Sequence, residues 1–150
     1  MTRLALLGLV ALGACVRSGP RPVPPAAEEV VNAPVGVTRL ALQQAVSNLG
    51  LPLRPTDLAG QVETEYVDMA SYLGEAATYP LAERLVRFIV TALPDPNSAG
   101  TLVVVRALYD PFRTGLSNTR RGDRGIPQSH PAMEVVRDLV KQIRRQAEGG

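Results

Sequence analysis

The sequence predicts an α+β domain in which an antiparallel sheet carries two helices packed on one face, in the order β-α-β-β-β-α. Two segments carry a single apolar stripe with helical spacing. Other segments alternate between apolar and polar residues, as half-buried strands do, and a turn-rich stretch joins the last two of them. Helices with one apolar stripe each can cover one face of such a sheet, which would otherwise stay wet.

The first two predicted elements are a short strand over residues 29–31 and a helix over residues 35–49. Asn32 is a candidate cap, because its side-chain oxygen can accept hydrogen bonds from free backbone N–H groups. Pro34 suits a first helical turn, and Gly50 suits the position just after a helix. The apolar stripe of this helix comprises Thr38, Leu42, Ala45, Val46 and Leu49.

Three strands are predicted next, over residues 60–69, 83–93 and 101–109. The stretch between the last two is PDPNSAG, which is dense in turn formers, so these strands should form an antiparallel hairpin. Alternation predicts which side chains face the core. They are Val62, Thr64, Tyr66, Val86, Phe88, Val90, Ala92, Val103, Val105, Ala107 and Tyr109.

The last predicted element is a helix that opens at Pro131 and ends at Gly149. Glu134 lies in its first turn, and Arg144 and Arg145 lie in its last turn, which complements the helix dipole. Its apolar stripe comprises Met133, Val136, Leu139, Val140 and Ile143.

The amino terminus has the layout of a secretory signal: Arg3, then an apolar run over residues 4–14, then Cys15, the one cysteine of the chain. The run is too short to span a bilayer, which needs about 20 apolar residues. The sequence Leu-Gly-Ala-Cys at residues 12–15 resembles the lipobox of bacterial lipoprotein precursors. The resemblance implies that residues 1–14 are removed as a signal peptide and that Cys15 becomes lipidated.

The residue after the cysteine is Val16 rather than aspartate, and in the lipoprotein family this implies the outer membrane. Residues 15–28 are then the lipidated cysteine and a Pro-rich tether, since such stretches extend by about 3.1 Å per residue. Residues 29–150 form the globular domain. The expected protein is an outer-membrane lipoprotein that faces the periplasm, with the membrane as one partner through its lipid anchor.

The stretch from Val30 to Tyr109 has a recognisable layout. An entry strand leads to a helix ending in SNLGL, the segment TDLAGQVETEYV follows, and two more strands end in an aromatic residue. This layout resembles the BamC-like lipoproteins of the bacterial outer-membrane barrel-assembly machinery, whose domains have a helix-grip α+β fold. BamC proteins proper have two such domains, and this chain has room for one. The resemblance implies fold and compartment, with an envelope protein as partner.

Composition argues against nucleic acid as a partner. The formal net charge is +2, and it falls to +1 when the signal and its one basic residue, Arg3, are removed. A chain so close to neutral has no global field that collects polyanions. Aromatic residues make up 4% of the chain and Trp is absent, so a surface for stacking bases is not expected.

Candidate chemistry is sparse, and we predict no enzyme, no metal and no cofactor. His130 is the one histidine, so no zinc ligand set can be assembled, and we expect His130 to cap a helix or to face solvent. Glu63 and Glu65 share one face of a strand, and paired carboxylates can act in glycoside hydrolysis. Alternation places them on the solvent side, with Arg84 and Arg87 as candidate cross-strand partners.

The segment at residues 110–130, which we call the arginine loop, is the other candidate site. Loops longer than about 12–15 residues are usually functional or disordered, so two interpretations stay open: contact with an anionic partner or lipid, and a solvated loop. Arginine suits phosphate and carboxylate recognition. The loop also contains the adhesion tripeptide Arg-Gly-Asp at residues 121–123. The candidate contact residues are Arg113, Arg120, Arg121 and Arg124.

The sequence therefore predicts a lipid-anchored envelope protein that acts non-catalytically, as a scaffold or binding component of an envelope complex. The alternative is a carrier or chaperone for an apolar ligand or lipid. Grip-like folds can open a concave apolar cavity between sheet and helices, which such a carrier would need.

Overall fold

The structure is a computed structural model that describes residues 23–112 and 122–149. The predicted signal peptide, Cys15 and most of the tether lie outside the described residues, as do Arg113, Arg120 and Arg121. The described part is an antiparallel sheet of seven strands with helices, which confirms the predicted α+β fold class.

The bounds of the elements are as follows. The strands are β1 Ala27–Val31, β2 Leu53–Arg54, β3 Gln61–Thr64, β4 Val67–Asp68, β5 Leu85–Pro94, β6 Thr101–Tyr109 and β7 Arg124–Gly125. The helices are α1 Val35–Asn48, α2 Leu81–Arg84 and α3 Met133–Glu148, with two 3-10 turns at Met69–Ser71 and Gly74–Thr78.

The sheet is built around the predicted hairpin of β5 and β6, whose register places Phe88 opposite Ala107 and Val90 opposite Val105. Its strand order is β1-β6-β5-β3-β2, with β4 beside β5 and β7 beside β6. Helix α3 packs against β1 and β6, whereas α1 packs against β5 and β3, and the two helices contact each other. Both long helices thus cover one face of the sheet, as predicted.

The hydrophobic core fills the space between this face and the two helices. Every residue of the main core lies between Val31 and Ala147, so the described domain holds its own core. The predicted stripes and strand faces supply it, and each fully buried leucine or valine contributes roughly 1.5–3 kcal/mol. Fully buried members include Val31, Leu42, Val46, Val86, Phe88, Val90, Val103, Val105, Val136, Leu139 and Ile143.

The start of α1 differs from the prediction. Pro34, not Asn32, is the capping residue, and it has an extended ψ of 147°. The hydroxyl of Thr38 donates to the Pro34 carbonyl at 3.2 Å. The backbone N–H of Asn32 instead donates to the Glu148 carboxylate at 2.8 Å, which ties this turn to the end of α3. Gly50 has a φ of 67°, which confirms its predicted role after the helix.

The strand predicted over residues 60–69 is interrupted, and this moves Tyr66 to the other face of the sheet. The Thr64 hydroxyl accepts from the Phe88 N–H at 2.9 Å and donates to the Glu65 carbonyl at 2.8 Å. These side-chain bonds replace the regular ladder, so the chain bends before β4 begins. Val67 consequently faces the core, and Tyr66 contacts Arg87 on the side away from the helices.

The first strand also begins earlier than predicted. Strand β1 begins at Ala27 rather than residue 29, and the side chain of Gln128 donates to the Ala26 carbonyl at 3.4 Å. The side chain of Val23 packs closely against Gly125, and a Cβ at that glycine would lie 3.0 Å from the Cγ1 of Val23. Residues 23–26 are therefore part of the folded domain and not of a free tether.

Candidate functional site

The arginine loop leaves the sheet and returns to it at one place. Strand β6 ends at Tyr109, and β7 pairs back with it, so that Tyr109 lies opposite Arg124. Asp110 is buried, with 1% of its surface exposed, and its carboxylate accepts from the Phe112 N–H at 3.0 Å in a local turn. Both described ends of the loop are therefore fixed to the sheet.

A cluster of polar side chains fixes the returning end. Arg87 lies on the sheet face away from the helices, yet only 4% of its surface is exposed. Its guanidinium pairs with Asp123 of the loop and with Glu63 of β3, the latter at 3.3 Å. The Tyr66 hydroxyl donates to Asp123, and the Tyr66 ring centroid lies 5.8 Å from the guanidinium carbon of Arg87. We call these four residues the loop clamp.

The electrostatics of the loop clamp favour structure over catalysis. Its charged side chains are poorly hydrated, with 5% of Arg87, 14% of Glu63 and 16% of Asp123 exposed. One cation shared by two carboxylates keeps both of them engaged, and removing one partner of such a pair is costly. Glu63 also accepts from the Gln61 side chain at 2.8 Å. Both carboxylates of the loop clamp, those of Glu63 and Asp123, are therefore engaged in ion pairs with Arg87.

Of the predicted cross-strand partners of Glu63 and Glu65, only Arg87 is found in that role. Arg84 pairs with Asp68 instead, at 3.0 Å, because α2 lifts residue 84 out of the strand. Glu65 is exposed in the bend after β3, whereas Glu63 lies in the loop clamp. Glu65 is therefore solvated as predicted, whereas Glu63 is largely buried against Arg87 instead of being solvated.

Arg124 is the one predicted contact arginine that the structure describes. It is exposed, and its guanidinium carbon lies 5.9 Å from the ring centroid of Phe112, which is itself 62% exposed. Cation and ring stand together at the root of the loop, a few residues from the loop clamp. Such a pair offers a partner both positive charge and apolar surface.

The adhesion tripeptide does not present a free acid. Its aspartate is Asp123, whose carboxylate is engaged by Arg87 and Tyr66 and is 16% exposed. Recognition of this tripeptide by another protein would require the loop clamp to open. The structure therefore assigns Asp123 an internal role.

His130 lies just before α3, whose capping residue is Ala132, and it is buried rather than facing solvent. Its Nδ1 accepts from the Ala132 N–H at 3.1 Å, so Nε2 carries the proton and donates to the Glu83 carbonyl at 3.2 Å. Its ring centroid lies 4.9 Å from that of Tyr79. Burial lowers the pKa of His130 below 6.5, although the nearby Glu83 carbonyl and carboxylate oppose this shift.

Across residues 23–112 and 122–149, no group of three or more His, Cys, Asp or Glu residues is placed to hold a metal ion. Within those ranges, no helix has the length and apolar character needed to cross a membrane.

Comparison with known proteins adds no assignment. No family model matches this chain, and no curated protein matches it significantly.

Sequence reasoning predicted the pair of Glu63 and Arg87 in the loop clamp but missed Asp123 and Tyr66. Arg87 and Asp123 are 36 residues apart, and nothing local distinguishes Arg87 from a solvated arginine on an alternating strand. Alternation predicts that Tyr66 faces the core. The bend after Thr64 that moves it to the other face depends on a hydrogen bond to the neighbouring strand, which the local sequence does not show. One signal could have suggested the pair of Arg87 and Asp123. Arg87 lies between apolar residues of a strand, and Asp123 is an acid in a long loop.

Proposed function

We propose that this chain is an outer-membrane-anchored periplasmic lipoprotein that acts non-catalytically, as a binding or scaffold component of an envelope complex. Cys15 supplies the anchor, and the arginine loop supplies the contact with an anionic partner. The observation that carries the binding role is the loop clamp: it holds the loop on the sheet and leaves Phe112 and Arg124 exposed at its root.

The BamC-like resemblance rests on the layout of the sequence. On this resemblance, the first candidate partners are the proteins of the outer-membrane barrel-assembly machinery.

A carrier role has less support in the described part of the chain. A carrier would need an apolar cavity between sheet and helices. In the described residues this space is filled by side chains such as Phe88, Leu42 and Leu139, which have no exposed surface. A cleft of about 480 Å³ lies beside the 53–62 segment, where β2 ends the strand order, and its lining includes the polar residues Gln43, Arg54 and Gln61.

Site-specific photo-crosslinking in native membranes tests the proposal. A photoreactive phenylalanine analogue replaces Phe112 in the full-length chain, and the same analogue replaces Leu40 of α1 as a matched control. The two positions are 62% and 63% exposed, so their chance of random capture is alike. We expect a discrete protein adduct from position 112 and none of the same mass from position 40. Identical adducts from both positions, or none from position 112, would contradict the proposal.

Charge variants test the electrostatic part. Replacing Arg113, Arg120, Arg121 and Arg124 by Gln changes the net charge of the mature chain from +1 to −3, because four cations are lost. The control replaces four cations that lie outside the loop and do not line the cleft beside the edge strand β1, with the same change in charge: the exposed Arg39 and Arg145 and the half-buried Arg54 and Arg106. Binding to anionic vesicles is measured against salt with a chain that lacks residues 1–15. If the loop makes the contact, vesicle binding should weaken as salt is added, and it should be weaker for the loop variant than for the control. Equal losses of binding in the two variants would contradict a special role of the loop.

A further inference from the structure

The free edge of the sheet lies beside α3 and forms a groove. Strand β1 ends the sheet order, and no other described strand pairs with its outer edge. A cleft of about 300 Å³ lies between this strand and the helix. We call it the edge groove, and its lining residues are Ala27, Glu29, Arg137, Val140, Lys141 and Arg144.

Strand and helix run in the same direction along the edge groove. Near its start, Ala27 and Arg137 line the cleft together. Further along, Arg144 pairs with Glu29, and beyond the end of β1 the Glu148 carboxylate accepts from the Asn32 N–H. The five residues of β1, at about 3.3 Å each, give the groove a length of roughly 16 Å. That length matches a short extended peptide.

The charge of the edge groove is positive. Arg137, Lys141 and Arg144 are exposed cations along one side of α3, and Glu29 is the one acid among the lining residues. Ala27 and Val140 supply apolar surface between the charges. The Arg144 and Glu29 side chains are 52% and 27% exposed, and an ion pair so accessible to water contributes little to stability. Another carboxylate can therefore replace Glu29 at little cost.

We propose that the edge groove binds an extended acidic segment of a protein partner, which adds to β1 as a further strand. The outer edge of β1 offers backbone donors and acceptors for this addition. Side chains of the segment alternate between the two faces. Those toward the helices meet the three cations of α3, and those toward the other face lie beside Val30, which is 48% exposed. The site is separate from the arginine loop and does not depend on it.

In the free protein, the Glu29 carboxylate occupies the position on Arg144 that a carboxylate of the acidic segment would take. That carboxylate occupies Arg144 until an incoming carboxylate takes its place. Glu29→Gln should therefore tighten binding by freeing Arg144. Glu28→Gln is the matched control, since it changes the net charge equally, and residue 28 is exposed on the opposite face of the strand.

The probe is a fluorescent, end-capped peptide of alternating Glu and Val, about six residues long to match the edge, with an alternating Lys and Val peptide as control. Anisotropy measures its binding to the full-length chain in a non-ionic detergent. Lys141→Gln should weaken binding by about two- to fivefold, the range of an exposed ion pair. Glu29→Gln should tighten it by a similar factor, and Arg145→Gln, outside the groove, should have a smaller effect than Lys141→Gln.

A backbone measurement separates strand addition from attraction of charge alone. Saturating peptide should slow hydrogen exchange at amides of residues 27–31, because strand addition closes the free edge. The proposal is overturned by a failure of the acidic peptide to bind at low salt, by equal gains from Glu28→Gln and Glu29→Gln, or by binding without protection of β1. Binding to anionic vesicles that Lys141→Gln abolishes, with no peptide binding, would assign the groove to lipid and also overturn it.

Discussion

The loop clamp gives the sharpest test of how this structure is held together. Asp123→Asn keeps the shape of the side chain, and the Tyr66 hydroxyl can still donate to the remaining amide oxygen. The substitution removes the negative charge that faces Arg87. Arg87 then retains Glu63 at 3.3 Å as its charged partner, in a place where 5% of its side chain is exposed. The substitution therefore lowers the free energy of unfolding because it removes one charge from a largely buried cluster.

The expected magnitude follows from that burial. Two unit charges about 4 Å apart attract by about 4 kcal/mol at an effective dielectric constant near 20. Breaking a buried pair by removing one partner usually costs about 3–5 kcal/mol. Because Glu63 still offsets part of the charge of Arg87, we expect Asp123→Asn to lower the free energy of unfolding by about 2–3 kcal/mol. In a domain of this size that corresponds to a fall in Tm of roughly 6–10 °C.

Urea unfolding followed by circular dichroism measures this change, and a double-mutant cycle with Arg87→Gln isolates the coupling between the two residues. Arg144→Gln is the control, since it breaks an ion pair in which the arginine is 52% exposed, and it should cost less than about 1 kcal/mol. The coupling of the buried pair should also survive high salt better than that of the exposed pair. A coupling energy near zero, or a cost for Asp123→Asn no larger than the control, would refute the reasoning.

Three further predictions concern the anchor, the core and pH. Cys15→Ser should abolish lipid labelling and leave the precursor uncut, and normal membrane attachment of that variant would contradict the anchor. Leu139→Ala should lower the free energy of unfolding by about 2–5 kcal/mol because Leu139 is fully buried, whereas Leu40→Ala, at a position 63% exposed, should change it by less than about 0.5 kcal/mol. Acidification below pH 6.5 should destabilise the fold, because the unfolded chain takes up a proton on His130 that the buried ring, with its lowered pKa, resists. Its contribution is full above pH 6.5 and is lost toward the lower folded pKa, so His130→Gln should flatten the pH profile there, and an unchanged profile would exclude this cause.

Much of the fold follows from local patterns in the sequence. Strand β6 has the predicted bounds of 101–109, and the apolar stripe of α3 is buried except for Val140, which is half-buried. These segments were predictable because their periodicity is strong and their neighbours along the chain are turn formers. The short helix α2 lies where the sequence predicts the beginning of a strand, since a single turn after Pro80 has too few residues to show a helical period.

The candidate site was less predictable, because its contacts join distant parts of the chain. The four arginines identified a basic loop, but Asp123 gave no sign that it would bind Arg87 of the sheet. The edge groove could not be predicted from the sequence either. Arg137 and Lys141 look like solvated residues on the polar side of a helix, and only the strand order shows that β1 lies at the edge beside them.

The packing of Val23 against Gly125 sets a limit on how far the domain can stand from the membrane. With Cys15 as the proposed anchor, eight residue steps separate it from Val23, and even a fully extended backbone gains no more than about 3.6 Å per residue, or about 29 Å in all. The chain enters the domain beside Gly125, the neighbour of Arg124, so the leash is fastened at the root of the arginine loop. If Cys15 is the anchor, that root stays within this distance of the lipid headgroups, and a partner that binds the root must come equally close to the membrane.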